Sequence, residues 1–430
     1  MAGDTPSGGR FKRLAKLAGL GARLSTDLAT RGVKRLSGET AGILSSAGAE
    51  KLVSTLGELK GLAMKVGQSL AMDPDLLTPE VQAIVAKLQN QAPPMHWDAV
   101  QGVLTRELGD GALDRFLSVD AAPMASASLG QVHQAVLKNG ERAVVKVQYP
   151  GVDKALEADL SNIESTAVLL AKAAGVPAQS YFAEIRESLL EELDYRLEAT
   201  HAEQMRVACA GAADLVVPKV ILELSAQRVI TEEKLEGETL KDFLARKATA
   251  SNEERFQVAR MLIRGTFVPF FSGNVIHADP HPGNYVLMSG GKLGLLDFGN
   301  VRKVTDTWVG VNRELLHVGL GRNRVDFVDL TRRAGFTIDA PDDKVRPFID
   351  GMMELVLEPM RTATFDYGTA KTLQRLRAHS MKHMLVLKTK LQPPPEGLLF
   401  YRAMGGLVQN LQSLGAAGPY REVYEGLAAL

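Results

Sequence analysis

His277-Ala278-Asp279-Pro280-His281-Pro282-Gly283-Asn284 is followed, after one short hairpin, by Leu296-Asp297-Phe298-Gly299. The two stretches bring a carboxylate, a carboxamide and a second carboxylate into one local segment. Such groups are what phosphoryl transfer requires. Hard oxygen ligands hold a magnesium ion that neutralises phosphate charge, and a carboxylate stands by the attacking oxygen; the rest of the catalysis is positioning. Each piece alone is an ordinary turn beside a buried strand. Together, Asp279, Asn284 and Asp297 read as a site for Mg2+ and ATP.

The order and spacing are those of a kinase catalytic loop, with Asp five residues before Asn and an Asp-Phe-Gly beyond the hairpin. A kinase site also needs a lysine for the α- and β-phosphates. Ala143-Val144-Val145-Lys146-Val147-Gln148 offers Lys146 on a strand with apolar neighbours, where an ammonium needs a carboxylate or phosphate partner. The plain alternative is an edge-strand lysine whose head reaches water. The loop Ala125-Ser126-Ala127-Ser128-Leu129-Gly130 occupies the place of a phosphate-covering glycine-rich loop with a single glycine. Alanine disfavours the positive φ that glycine permits, so its backbone should approach phosphates differently. Val229-Ile230-Thr231-Glu232-Glu233-Lys234 reads as a hinge whose backbone, at Glu232, Glu233 and Lys234, binds adenine; a strand running into a loop explains it equally well.

Glu191 to Glu198 reads as one helix, with Leu190, Leu193 and Leu197 forming its apolar stripe. At about 100° per residue, Asp194 and Glu198 share a face and Glu192 points nearly opposite Asp194, so these acids cannot share one partner. A solvated acidic face is the plain reading, and the need of Lys146 for a partner argues beyond it.

The elements that position these groups follow from texture. Residues 49–117 are helical in period, with breaks at Pro74, Pro79 and Pro93-Pro94. Residues 131–137 and 143–148 form a hairpin around Asn139-Gly140. Helical period returns over 151–174 and 182–210, strand texture over 216–222 and 228–232. Beyond Leu240 the chain reads as helix to its end, apart from a strand-turn-strand at 285–296. The expectation is an α+β, two-lobed protein-kinase-like fold with an N-terminal helical extension. Its parts are a basic amphipathic segment at 1–46, the extension at 47–117, an N-lobe with inserted helices at 118–233 and a helical C-lobe at 234–430, with the nucleotide in the interlobe cleft.

Composition narrows the rest. The 430 residues carry 50 basic and 50 acidic side chains, which removes the charge argument for a nucleic-acid partner. The single cysteine, Cys209, allows no intrachain disulfide, and it reads as an inert small hydrophobe in a reducing compartment. No apolar run is long enough to span a bilayer. In the first forty residues Arg10, Lys12, Arg13, Lys16, Arg23, Arg31, Lys34 and Arg35 face only Asp4, Asp27 and Glu39, with leucines at 14, 17, 20 and 24. Such a helix lies on an anionic membrane, serves as a transit peptide or simply packs on its own domain. The corresponding location is the cytoplasm or its membrane surface, or the mitochondrion in the transit-peptide case.

Over residues 45 to 410 these features resemble the UbiB family of atypical kinase-like proteins, also called the aarF-domain or ADCK family. Lys65-Val66-Gly67-Gln68, the alanine-rich loop, Glu192-Leu193-Asp194 and the sequence around Asp279 carry the resemblance. It implies that Lys65, within a regulatory motif with Gly67 and Gln68, reaches the nucleotide cleft and pairs with the Glu-x-Asp motif at Glu192. It further implies that Glu198 pairs with Lys146, that Asp279 is the catalytic-loop aspartate, and that Asn284 and Asp297 hold the metal. The family implies Mg2+ with ATP or ADP, ATPase activity in place of protein phosphorylation, and a role in ubiquinone or other isoprenoid-lipid metabolism with lipid or lipid-biosynthesis partners. The absence of an Ala-Pro-Glu segment after Gly299 agrees. The charged stretch from Leu399 to Leu430 departs from members with C-terminal membrane helices. Two other functions compete. A small-molecule phosphotransferase is suggested by similarity of the 277–284 loop to the aminoglycoside phosphotransferase group, which lacks the Lys65 motif. A non-catalytic nucleotide-sensing scaffold is disfavoured by Lys146, Asp279, Asn284 and Asp297.

Overall fold

The computed structural model describes residues 95–127, 129–154, 156–157, 186, 190–383 and 391–430. They fall into two compact units. The first comprises the described residues up to Arg196 together with Ile221–Glu232, and the second comprises Leu197–Val220 and Glu233–Leu430. One division falls between Glu232 and Glu233, within the stretch read as a hinge. Leu197–Val220, expected in the first lobe, groups with the second unit.

In the first unit, helix α1 (Trp97–Leu108) precedes strands β1 (Phe116–Val119), β2 (Ala125–Ala127), β3 (Gly130–Leu137), β4 (Arg142–Gln148) and β5 (Val229–Glu233), the last of which ends one residue past the division. The sheet order is β1-β3-β4-β5, with β2 folded back onto β3. The β3–β4 hairpin turns at Asn139-Gly140 as its sequence requires: Gly140 has φ 85°, a left-handed value that glycine adopts without a Cβ clash. Period-2 alternation then separates the faces. Ala143, Val145 and Val147 are buried with Val100, Val103, Leu104 and Leu108 of α1, and Lys146 stands on the opposite face. Burial of each such aliphatic side chain contributes roughly 1.5–3 kcal/mol. Two polar side chains reinforce this unit through three hydrogen bonds. Gln131 Oε1 accepts from the Met95 backbone N–H at 2.8 Å, Gln131 Nε2 donates to His133 Nε2 at 2.9 Å, and His133 Nδ1 donates to the Asp120 carbonyl at 2.7 Å.

The expected single helix through 191–198 is a misreading. Residues 190–191 are helical, 192–194 form a turn, and helix α2 (Tyr195–Cys209) begins afresh. The cause is local chemistry. Asp194 Oδ1 accepts from the Arg196 N–H at 3.0 Å, an N-capping bond that starts a helix rather than continuing one. The Arg196 guanidinium, 2.6 Å from Oδ2, also holds the Asp194 carboxyl below the usual carboxylate range. The helical facing of Asp194 and Glu198 therefore does not apply. The strand expected over 216–222 also shrinks, to the two residues Leu215–Val216 followed by a 3-10 turn at Leu222–Leu224.

The second unit is built on helix α3 (Asn252–Gly273), capped by Ser251 and carrying Phe256, Leu262, Ile263, Phe270 and Phe271 into a large apolar core. Asn274, left-handed at φ 54°, stops it and releases the chain into β6 (Val275–His277). A hairpin follows, β7 (Tyr285–Met288) with β8 (Lys292–Leu295), extended by Leu215–Val216 beside β8 and Glu238–Thr239 beside β7. Strand β9 (Val301–Lys303) then pairs with β6, placing Val301 opposite His277. Helices α4 (Asp306–Gly319), α5 (Asp342–Arg361), α6 (Thr372–Lys382), α7 (Pro395–Leu414) and α8 (Tyr420–Leu427) follow, together with shorter helices and two small strand pairs. Cys209 is buried there and its thiol is pushed up to about 12 by burial, as befits an inert hydrophobe. No described helix is long and apolar enough to cross a membrane.

Leu197–Val220 groups with the second unit for visible reasons. Ala202, Met205, Ala208 and Cys209 of α2 enter its core, and Gly273 lies so close to Ala208 that a Cβ there would fall 2.4 Å from the alanine's own. Arg264 of α3 adds two bonds to Asp214, at 2.5 and 2.8 Å. Those bonds hold the Asp214 carboxyl below its ordinary range. A depressed folded-state value stabilises the fold above the unfolded value near pH ~4, and that stability is lost as pH falls through the folded value. Asp214→Asn is accordingly expected to cost about 1 kcal/mol at neutral pH, allowing for partial exposure. In urea denaturation the gap from wild type should close in acid; a gap independent of pH would contradict the assignment.

Candidate active site

The chain carries its densest chemistry between β6 and β9, in the second unit. His277 ends β6 and is buried. Its Nε2 donates to the Leu296 carbonyl at 3.0 Å and its Nδ1 accepts from the Asp279 N–H at 3.3 Å, so one imidazole ties the two halves of the motif together. The Asn284 side chain returns to the start of the loop, its Nδ2 donating to the Asp279 carbonyl at 3.2 Å. With the nitrogen committed there, Oδ1 is the carboxamide atom that this bond does not use. Asn284 O in turn accepts from the Leu296 N–H at 2.9 Å, and Ala278 N–H donates to the Asn300 carbonyl at 2.8 Å. These bonds tie together the segment that carries Asp279, Asn284 and Asp297.

Asp297 has φ 59°, one of three non-glycine residues among those described with a left-handed backbone. That conformation is costly for most side chains and tolerated best by Asp and Asn, so its presence here is a local strain held by the surrounding bonds. The Gly299 N–H points to Asp297 Oδ1 at 3.4 Å. Phe298 is fully buried, and its carbonyl accepts from His201 Nδ1 of α2 at 3.1 Å. Tyr285 is buried near Asp279, and burial first, with the Asp279 charge second, pushes its phenol up.

The carboxamide of Asn284 and the carboxylate of Asp297 are oxygen donors of the kind that suits magnesium shared with a nucleotide, with the Asp279 carboxylate beside them in sequence. Among the described residues no three His, Cys, Asp or Glu side chains gather into a cage that holds a metal alone. Magnesium in phosphoryl transfer needs no such cage, since one or two side chains share it with phosphates and water.

In the first unit, Lys146 lies on β4, which is flanked by β3 and β5, so it is not an edge-strand lysine. Its ammonium stands 5.0 Å from the Tyr195 ring centroid, a cation–π contact. The sequence reading sought a carboxylate or a phosphate for it and did not include this aromatic neighbour. Gln148, two residues on, is buried and donates to the Leu193 carbonyl at 2.9 Å, which ties β4 to the Glu192–Asp194 turn. Glu192 itself is buried. The alanine-rich loop is a tight hairpin, with Ala125 opposite Val132, Ser126 opposite Gln131 and Ala127 opposite Gly130. Ala125 and Ser126 are exposed and Ala127 is half-buried. Glu232 is buried at the end of the first unit. Glu233 and Lys234 belong to the second, where Lys234 pairs with Glu236 at 3.4 Å. Glu198 is buried on α2 within the second unit. Lys65, Gly67, Gln68, Ser128 and the basic segment 1–46 lie outside the described residues.

Sequence reasoning missed His201 and Asn410, whose side chains hold carbonyls of the motif from distant helices. For Asn410 the signal is polarity within an otherwise apolar helical stripe; His201, flanked on its helix by Glu198 and Gln204, carries no such signal.

A family model described as the ABC1 atypical kinase-like domain matches residues 87–323. The chain is similar to Atypical kinase COQ8B, mitochondrial, of Danio rerio, 32% identical over 374 residues, covering 85% of this chain and 58% of that protein. It is also similar to the COQ8B of Rattus norvegicus, at 31% identity over 90% of this chain and 74% of the relative. To Atypical kinase COQ8, mitochondrial, of Saccharomyces cerevisiae it is 27% identical, over 95% and 82%. Among solved structures, a complex of Rv3197 with erythromycin from Mycobacterium tuberculosis matches with TM-score 0.65 and 30% identity, covering 88% of this chain and 95% of that one. The expected kinase-like α+β fold agrees with both the family match and this neighbour.

Proposed function

Because the chain belongs to the ABC1 atypical kinase-like family, the UbiB family that its motifs resemble, we propose that it binds Mg-ATP or Mg-ADP and turns the nucleotide over in support of ubiquinone or another isoprenoid-lipid pathway. The observation that carries the reading is the bonded loop of the second unit. Asn284 is committed through Nδ2 to the Asp279 carbonyl, and Asp297 is held left-handed beside Gly299. In this reading Asn284 and Asp297 hold the metal, which supplies charge neutralisation when bound. Asp279 orients the attacking oxygen and takes its proton, and Lys146 holds phosphate oxygens. Glu198 serves as the partner of Lys146, Ala125, Ser126, Ala127 and Ser128 cover the phosphates, and the backbone of 232–234 receives the adenine. Lys65, with Gly67 and Gln68, restrains turnover through Glu192 and Asp194.

The path after the second carboxylate supports turnover without a protein substrate. Two residues beyond Gly299 the chain enters β9 and pairs at once with the strand that bears His277, leaving no activation segment there. In this reading the protein works in the cytoplasm or at its membrane surface, or in the mitochondrion, the location that the curated relatives' names carry, with a lipid surface or lipid-biosynthesis proteins as proposed partners. The test is nucleotide binding and hydrolysis by the full chain, with magnesium or a chelator and with or without anionic lipid vesicles. Turnover is expected only with magnesium. Lys65→Ala is expected to raise it several-fold, and a Lys65→Ala protein slower than wild type would remove the restraining role.

A second reading is favoured by one observation: the matched neighbour was solved with erythromycin, a hydroxylated small molecule. Here the phosphoryl group goes to a small alcohol. Stoichiometric ATP consumption with one member of a panel of alcohols would replace the first reading with this one.

A further inference from the structure

Helix α7 turns Phe400, Ala403, Leu407, Leu411 and Leu414 into the core of the second unit. Asn410 shares that face and is only 5% exposed. A carboxamide buried among leucines costs free energy unless it is hydrogen-bonded. Its Nδ2 donates to the carbonyl of Pro280 at 2.9 Å, a residue 130 positions upstream and next to Asp279.

The loop needs such a donor from outside. Pro280 and Pro282 have no N–H, so at both positions the backbone offers only its carbonyl. Asn284 holds the Asp279 carbonyl at 3.2 Å and Asn410 holds the next one. Two consecutive peptide planes on either side of Pro280 are then fixed, and with them the direction of the Asp279 side chain. Asn284 lies within the loop motif. Asn410 comes from the far end of the chain, on a helix packed against α3 and β6.

We infer that Asn410 is a positioning residue for phosphoryl transfer: its carboxamide, anchored on the Pro280 carbonyl, sets the direction in which Asp279 presents its carboxylate. The inference rests on the reading of Asp279 as the group beside the attacking oxygen.

Three forms of the full chain test it: wild type, Asn410→Leu and Asn410→Asp. The leucine fills the volume and removes the donor. The aspartate keeps the shape and donates only when protonated. Asn410→Leu is expected to lower kcat by about 10- to 100-fold with little change in the KM for Mg-ATP, as for other residues that orient a reacting group. Its pH profile should run parallel to that of wild type. Asn410→Asp should be equally poor in mild alkali and recover most of the deficit toward pH ~6, as its carboxyl takes up a proton and the bond re-forms. An Asn410→Asp profile parallel to Asn410→Leu at every pH, or a kcat within twofold of wild type in the leucine variant, overturns the inference. Hydrogen exchange separates its failure from that of the functional reading, because it needs no turnover. In Asn410→Leu the Asp279, Gly283 and Asn284 amides should exchange at least tenfold faster, with α3 and α4 unchanged. Unchanged loop amides, or a uniform rise across the second unit, would mean that Asn410 only packs, whatever the wild-type protein does with ATP.

Discussion

Asp297→Asn is expected to lower magnesium-dependent nucleotide turnover by about 10²–10³-fold or more, the loss that follows removal of one fixed charge-stabilising group. The substitution is chosen for its backbone. At φ 59° most residues would be strained, but asparagine is among those that tolerate the left-handed region best. Folding should therefore be intact, with the denaturation midpoint near that of wild type, and the loss assigned to chemistry. Asparagine removes one negative charge while leaving an oxygen in place, so metal should still bind, but more weakly, and the magnesium needed for half-maximal turnover should rise. Asp279→Asn makes the contrast. It removes the carboxylate beside the attacking oxygen, so turnover should fall comparably while the magnesium requirement stays close to wild type. Turnover that survives both substitutions, measured on protein free of contaminating ATPase, would remove the proposed mechanism altogether.

The contrast is available because the proposed site lies in contiguous sequence. Asp279, Asn284 and Asp297 were legible before the fold because one loop and one hairpin suffice to gather them, and the bonds that do so, from Asn284 to Asp279 and from His277 to Leu296, stay within that segment. The β3–β4 hairpin was legible for the same reason: Asn139-Gly140 specifies its turn locally. What escaped depended on partners elsewhere in the chain. Leu190, Leu193 and Leu197 keep a helical period straight through the turn at 192–194, so periodicity alone gives no sign of it; the capping bond from Arg196 to Asp194 decides. The strand over 216–222 had the right texture, but only Leu215–Val216 forms a strand, beside β8, while Lys219 and Ile221 make single backbone bonds to Glu233 and Thr231. Tyr195 beside Lys146, and His201 and Asn410 behind the loop, are separated from their partners by 49, 97 and 130 positions. Nothing in the spacing of residues announces such pairs.

Gly130→Ala is expected to be the most damaging single-methyl change in the first unit, which revises how the alanine-rich loop is understood. From sequence, the loop occupies the place of a phosphate-covering glycine-rich loop, where glycines permit positive φ, with a single glycine. Gly130 is not among the glycines with positive φ. Its constraint is space: a Cβ there would lie 2.1 Å from the Val147 carbonyl oxygen and 2.9 Å from the Gln148 Cα, both backbone atoms of β4. Backbone cannot rotate away as a side-chain tip can, so β3 and β4 must separate where Gly130 faces Gln148 and Val132 faces Lys146. Overpacking of this kind costs about 1–3 kcal/mol. It also displaces the strand that carries Lys146, so Mg-nucleotide affinity should fall with stability. Ala127→Gly, one turn away on β2, adds flexibility without a clash and is expected to cost only about 0.5–1 kcal/mol. Urea denaturation and nucleotide titration on the two variants separate the readings. A Gly130→Ala protein as stable as wild type would show that the pairing of β3 and β4 tolerates the methyl. Loss of stability and affinity together in that variant, with both largely kept in Ala127→Gly, would make Gly130 a packing glycine whose part in nucleotide binding is to keep Lys146 in register.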